Sequence, residues 1–313
     1  MTKPILTRAA LDASRQFIER KGRSLEIARF HYAFNGASAD SVIAALKEFQ
    51  NPDGGFGHGL EPDLRTNDSS ALCTSIAFQV LRSIKGTSDH ELVSVAIAYL
   101  LKTLDRKEWH WPIIPKAAQQ SPHAPWWEQS NDDDEPESFS LNPTAEILGY
   151  LYDYQHLVPA TIISQVSERV MGALSPANEI EMHDLLCCLR LMKTKTLPNE
   201  FREQIRQALA QQLDGTIEQD PTKWEGYCLR PLQVIDAPES PFMAGMEDAV
   251  AANLAYEVAT QSKDGDWLPT WSWGDMFPDA WQQAYQDWSG VITIEKLLVL
   301  KRFGCIEGIS SPS

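Results

Sequence analysis

From Ser41 to Phe49 the apolar residues Val42, Ala45, Leu46 and Phe49 fall three and four positions apart, the stripe of one amphipathic helix face. Pro52 and the glycines at 54, 55 and 57 end that stripe, because proline lacks an amide donor and glycine turns without steric cost. Thr66-Asn67-Asp68-Ser69-Ser70 then offers a cluster of N-cap types. The run Ala71 to Leu81 behind it is apolar on nearly every side, so this helix belongs in an interior. The same alternation continues along the chain. Residues 5–20, with Leu6, Ala9, Ala10, Ala13 and Phe17 at helical spacing, form an outer helix that Lys21-Gly22-Arg23 breaks. Leu25 to Phe34 is a short apolar helix in which His31 is expected to be buried against backbone. Residues 89–104, 160–173 and 199–213 have one apolar face each, whereas Asn142 to Glu146, Glu181 to Met192 and Glu247 to Ala259 begin or form inner helices. Ile292 to Phe303 is the last helix, stopped at Gly304. The pattern predicts an all-α protein.

The corner at Gln50-Asn51-Pro52-Asp53-Gly54-Gly55-Phe56-Gly57 recurs. Gln211-Gln212-Leu213-Asp214-Gly215 and Gln261-Ser262-Lys263-Asp264-Gly265 repeat Gln-x-x-Asp-Gly fifty residues apart. Lys102-Thr103-Leu104-Asp105 is a worn copy, with Trp109 placed where Phe56 and Trp267 stand. A period near fifty predicts stacked helical hairpins. Glutamine can satisfy backbone groups of the next helix, aspartate can cap, glycine turns the corner and the aromatic wedges between layers.

Gln50 to Gly57, and Gln261-x-x-Asp264-Gly265-Asp266-Trp267 followed by Trp271, Trp273, Trp288, Gly290 and Thr293, resemble the glutamine–tryptophan repeats of squalene–hopene and oxidosqualene cyclases and the related repeats in β subunits of protein prenyltransferases. The likeness runs over residues of about 50 to 300 and implies a single α/α toroid over residues 1–313, with about six hairpins in inner and outer rings and the substrate in a central cavity. The cyclases of that superfamily start from an acid in an Asp-x-Asp-Asp motif; here Asn131-Asp132-Asp133-Asp134 has Asn at the first position, so that acid is not carried over. The prenyltransferases hold zinc with an Asp-x-Cys pair, which this chain lacks. Asp184 and Cys187 are three apart, His183 diverges from Asp184 by about 100° around a helix, and no metal or other cofactor is expected.

Composition narrows the partners. The 313 residues carry a net charge of −16 with a pI near 4.8, which disfavours nucleic acid and anionic membrane surfaces as partners. No run approaches the roughly 20 apolar residues of a spanning helix and no secretory signal is apparent. Five scattered cysteines suit a reducing cytoplasm better than a disulfide frame.

Chemistry is sought where inner helices begin. Glu61-Pro62-Asp63-Leu64-Arg65 places three charges directly after a glycine corner. If the carboxyls face an aromatic, dry interior they would hold their protons more tightly and could donate one, with His58 as proton partner and Asp68 nearby. Glu61, Asp63, Asp68 and His58 are therefore the candidate catalytic residues. Between Trp109 and Pro143 the periodic pattern collapses into a Trp- and Pro-rich insertion, read as a lid or wall, and a second irregular stretch holds Thr222 to Arg230. Trp126, Trp127, Trp271, Trp273, Arg65, His183, Asp184 and Tyr227 are the candidate substrate-binding residues. The leading expectation is acid-initiated chemistry on a hydrophobic, isoprenoid-like substrate. A carbohydrate-active enzyme using Trp platforms and paired carboxylates, and a binding module without catalysis, are the alternatives.

Overall fold

The computed structural model describes residues 3–86, 90–129, 139–175, 178, 180–213 and 215–310. Twelve α-helices occur among them: α1 (Arg8–Lys21), α2 (Ser24–Asn35), α3 (Ala39–Lys47), α4 (Ala71–Arg82), α5 (Glu91–Thr103), α6 (Leu141–Asp153), α7 (Ala160–Ala173), α8 (Met182–Met192), α9 (Asn199–Leu213), α10 (Pro231–Val234), α11 (Glu247–Ala259) and α12 (Pro278–Arg302). The only β-pairing among the described residues is in isolated bridges, so the protein is all-α, as the periodicity predicts. None of these helices is long and apolar enough to cross a membrane.

The chain forms two compact units, one of Met1–Ala45 with Gly215–Ser313 and the other of Leu46–Asp214. In the second unit α6 is central, with α4, α7 and α8 packed on it, α5 on α4, and α9 on α8. From Pro143 to Leu151 every residue of α6 is buried, which is why it sits inside this unit. In the first unit α1 and α2 pack on each other and on α12, and α10 packs on α11.

The glycine corners are built alike in both units. Gln50 Nε2 donates to Gly54 O at 3.0 Å and to Leu92 O in the first turn of α5 at 3.2 Å. Gln261 Nε2 does the same to Gly265 O at 3.1 Å and to Ala10 O in the first turn of α1 at 3.0 Å. Gly54 and Gly265 both sit at φ +91°. Behind each, the aromatic residue docks on a helix further along the chain: Phe56 N donates to Thr74 Oγ1 of α4 and Trp267 N to Thr293 Oγ1 of α12, each at 3.1 Å. The third copy is Trp111, not Trp109. Trp111 N reaches Thr144 Oγ1 at 3.5 Å and its indole donates to Leu100 O eleven residues back, as the Trp267 indole donates to Glu257 O ten residues back. Trp109 lies at the tip of the turn instead, at φ +57°.

Three further expectations are corrected. Gln211 is exposed and a Cβ at Gly215 would meet nothing within 4 Å, so among the described residues this copy lacks the close helix approach of Gly54 and Gly265; its Asp214 lies outside the described residues. The last helix starts at Pro278 rather than Ile292, because Phe277 takes a left-handed turn and proline then opens the helix. His31 is half-exposed and meets side chains, Glu19 at 3.5 Å and Asn35 at 3.1 Å, not backbone. The insertion after Trp109 carries short 3-10 turns at Lys116–Gln120 and Pro125–Trp127, and the acidic run Asp132 to Glu135 lies outside the described residues.

Candidate functional site

The Glu61–Arg65 segment becomes an edge for the Trp-rich insertion. A turn closes through Leu64 N to Glu61 O at 3.1 Å, and Leu64 then pairs antiparallel with His123. Arg65 N donates to Pro122 O at 3.0 Å and Ala124 N to Asp63 O at 2.9 Å. The next residues of that second segment turn at once, with Trp127 N on Ala124 O, so Trp126 and Trp127 sit a few residues along from the acidic turn. Gln119 Nε2 holds Trp127 O at 2.8 Å and fixes the turn from behind. Glu61 is 6 % exposed and Asp63 3 %, whereas Trp126 is 48 % exposed. Two carboxyls withdrawn from water and an open indole are thus set on one short ladder. Arg65 folds over Gly59, where an added Cβ would meet its guanidinium nitrogen at 3.0 Å.

The other two residues of this group face elsewhere. His58 is exposed at φ +54°, and its ring nitrogens meet Asn51 Oδ1 at 2.8 Å and Asn67 Oδ1 at 3.3 Å. Asn51 spends its amide on Asn67 O and Ser69 Oγ, so its oxygen is the atom left for His58, whose Nε2 must donate. His58 is a strut across the corner. Asp68 is exposed, with its amide on Thr66 Oγ1 at 3.1 Å.

Asp184 accepts from Asn142 N at 2.7 Å and Ser140 Oγ at 3.1 Å, capping α6 from α8. Burial pushes its carboxyl up from the ordinary aspartate range, and those two bonds temper the rise. His183 beside it is exposed. Cys187 faces Asn142, Glu146 and Arg190 rather than Asp184, and burial, with Glu146 next, pushes its thiol well up; it is a protonated core thiol, not a nucleophile. Among the described residues no group of three or more His, Cys, Asp or Glu is placed to hold a metal ion.

In the first unit Trp273 is fully buried against Trp281 at 5.6 Å and belongs to the core. Tyr227 is 57 % exposed and meets Trp271 edge-on at 6.1 Å, and Trp271 meets Trp288 of α12 edge-on at 5.1 Å. The same unit holds a buried charge cluster centred on Glu257. Glu257 of α11 takes Asn253 Nδ2 at 3.2 Å, Arg230 Nη1 at 3.4 Å and Lys296 Nζ. No short-range motif announces it, because its charges come from three separate stretches of the chain.

Burial lowers the Lys296 ammonium from the ordinary lysine range, and Glu257 only partly restores it. The folded protein therefore holds fewer protons than the unfolded chain between that lowered value and the free-lysine range of about 10.4. Stability contributed through Lys296 should rise with pH across that alkaline window. Urea unfolding from neutral to alkaline pH should show the slope in the parent protein and a flatter one in Lys296→Met; equal slopes would remove Lys296 as its source.

No protein-family model, no curated protein and no solved structure matches this chain.

Proposed function

We propose that this protein is an enzyme acting on a neutral, hydrophobic, isoprenoid-like substrate, with Glu61 or Asp63 as the proton donor and an α/α toroid as its frame. The single observation that carries the reading is the ladder joining the buried Glu61–Asp63 turn to the Trp126–Trp127 turn. A carboxyl kept from water, on a turn joined by backbone bonds to a segment that carries two indoles, suits protonation of an alkene: the acid supplies the proton, and aromatic faces attract the carbocation that forms. The step balances without a cofactor. The alkene π pair forms the new C–H bond, positive charge appears on the adjacent carbon, and loss of a proton from a neighbouring carbon returns the acid.

The test is incubation with squalene and with farnesol in D2O, followed by mass spectrometry of the recovered lipid. An isomerised or cyclised product carrying deuterium is expected, and Asp63→Asn or Glu61→Gln should cut its formation by at least about 100-fold, the lower end for removal of a general acid. Product formation unchanged in both variants, or no product from either lipid, would overturn the proposal.

The open indole of Trp126, a few residues along the chain from the segment that pairs with the Glu61–Arg65 turn, also favours a second reading, a sugar stacked on that ring and cleaved by the two carboxyls. Release of reducing ends from a maltooligosaccharide would separate it from the first.

A further inference from the structure

Helices α1 and α2 of the first unit hold between them a cavity of about 290 Å³, close to the lower end of the roughly 300–1,000 Å³ of small-molecule sites. Its floor is apolar: Leu11 of α1 and Phe30 of α2 line it and are both buried. Half-buried Phe34 continues that surface, with its ring 5.0 Å from the Phe30 ring. The rim is charged. Arg8, Asp12 and Arg15 line the cavity from one face of α1, at successive spacings of four and three residues. Both arginines lean on Asp12, Arg8 Nε at 3.9 Å and Arg15 Nε at 3.7 Å, so two heads rooted about 10 Å apart on the helix are drawn together. Neither contact is as short as the roughly 2.7–2.9 Å of a charge-assisted hydrogen bond. The side chains are 59 % and 37 % exposed, and ion pairs so open to water hold weakly. Glu19 stands 3.5 Å from Arg15 Nη1, and Glu307 takes the backbone N–H of Arg8 at 2.8 Å. Neither of them occupies the Nη edge of Arg8.

We propose that this groove binds a small monocarboxylate whose acid group is carried on a flat apolar ring. The lining holds two cations and one anion, so a single negative charge balances it, in a chain whose net charge of −16 repels anions elsewhere. The carboxylate meets the planar Nη pair of Arg8 through two parallel hydrogen bonds, with Arg15 beside it. Asp12 is the positioning residue, holding both guanidiniums from their Nε sides. The ring lies on Phe30 and Phe34, where aromatic contact adds to the area withdrawn from water. Inorganic phosphate would meet the arginines and leave the phenyl floor wet; a hydrocarbon would cover the floor and leave the arginines as they are. The site lies wholly in α1 and α2 and shares no residue with the Glu61–Asp63 turn, so either proposal can fail alone.

Isothermal titration of the full chain with phenylacetate, phenylacetamide, acetate and inorganic phosphate tests the site. Phenylacetate should bind with a Kd below about 1 mM. Phenylacetamide has the same shape without the charge and should bind about tenfold more weakly or worse, the worth of a hydrogen bond to a charged group. Acetate keeps the charge without the ring and should also lose about tenfold, since the phenyl floor then stays wet. Phosphate should bind more weakly than phenylacetate for the same reason. Arg8→Gln should weaken phenylacetate about tenfold; the residue is exposed, so the variant should unfold in urea at the parent's midpoint. No heat from phenylacetate up to about 10 mM, phenylacetamide or acetate binding as tightly, phosphate binding more tightly, or a folded Arg8→Gln with the parent's affinity would each overturn the site.

Discussion

Gly265→Ala is expected to remove about 4 kcal/mol or more of stability, a loss reserved for named steric faults and large against a whole folding free energy of about 5–15 kcal/mol. The methyl group would sit 2.3 Å from the carbonyl carbon of Ala13 and 2.5 Å from both its oxygen and the amide nitrogen of Ser14, all of them backbone atoms of α1. Helix α1 cannot simply back away. Ser14 Oγ donates to Gly265 O at 2.5 Å, and Gln261 Nε2 spans Gly265 O, Ala10 O and Ser14 Oγ, so retreat would break the joint that fixes the corner. The residue also lies at φ +91°, where an L side chain is strained whatever the space. Gly245→Ala separates the two costs: it has φ +83° but nothing within 4 Å, and should lose only about 1 kcal/mol. Urea unfolding of the two variants measures the difference. Should Gly265→Ala fall within error of Gly245→Ala, close helix approach is not what the corner glycine is for. The equivalent clash at Gly54 is with Val95 O, again at 2.3 Å.

Those corners are the part of the fold that can be read from the chain, since their partners are local in type: glutamine needs carbonyls four residues on and at the next helix start, and glycine needs a positive φ. What spacing could not separate was Trp109 from Trp111. The distinction lies in a bond to Thr144, thirty-three residues away across an irregular insertion. The copy at Gln211 has the letters of the motif, but among the described residues nothing lies within 4 Å of a Cβ at Gly215, unlike the tight backbone contacts at Gly54 and Gly265. The long first half of α12 was hidden because its tryptophans and glutamines mix faces, and only the left-handed Phe277 before Pro278 marks its start. At the candidate site, the burial of Glu61 and Asp63 follows from a glycine corner that turns the chain inward. The role of His58 did not follow, because its ring is claimed by Asn51 and Asn67 from either side of the same corner.

The second large effect is expected at the Glu146–Arg190 pair, where burial makes the two partners unequal. Glu146 is 1 % exposed and accepts from Arg190 Nη1 at 3.0 Å, with the Tyr150 hydroxyl on its other oxygen. Arg190 is 35 % exposed at its side chain. Burial works to strip the guanidinium of its proton, and Glu146, helped by Cys187 and Tyr150, outweighs it and holds that proton more firmly than usual. Arg190→Met therefore leaves a carboxylate stranded in the core and should cost about 3–5 kcal/mol, the range for an abandoned buried charge. Glu146→Ala should cost less, because Arg190 can swing toward water while Arg82, stacked 4.2 Å over Tyr150, keeps the neighbouring ring in place. Adding Glu146→Gln to Arg190→Met removes the stranded charge and keeps the shape, so the double variant should be more stable than Arg190→Met alone. Thermal and urea unfolding of the three variants test the order, and Cys187 reports on it independently: its thiol should resist modification in the parent protein and react in Arg190→Met as the cluster opens. If Glu146→Ala proves the more damaging single change, or the double variant shows no recovery, then the carboxylate is not the costly partner and the pair is held by packing around Tyr150 instead.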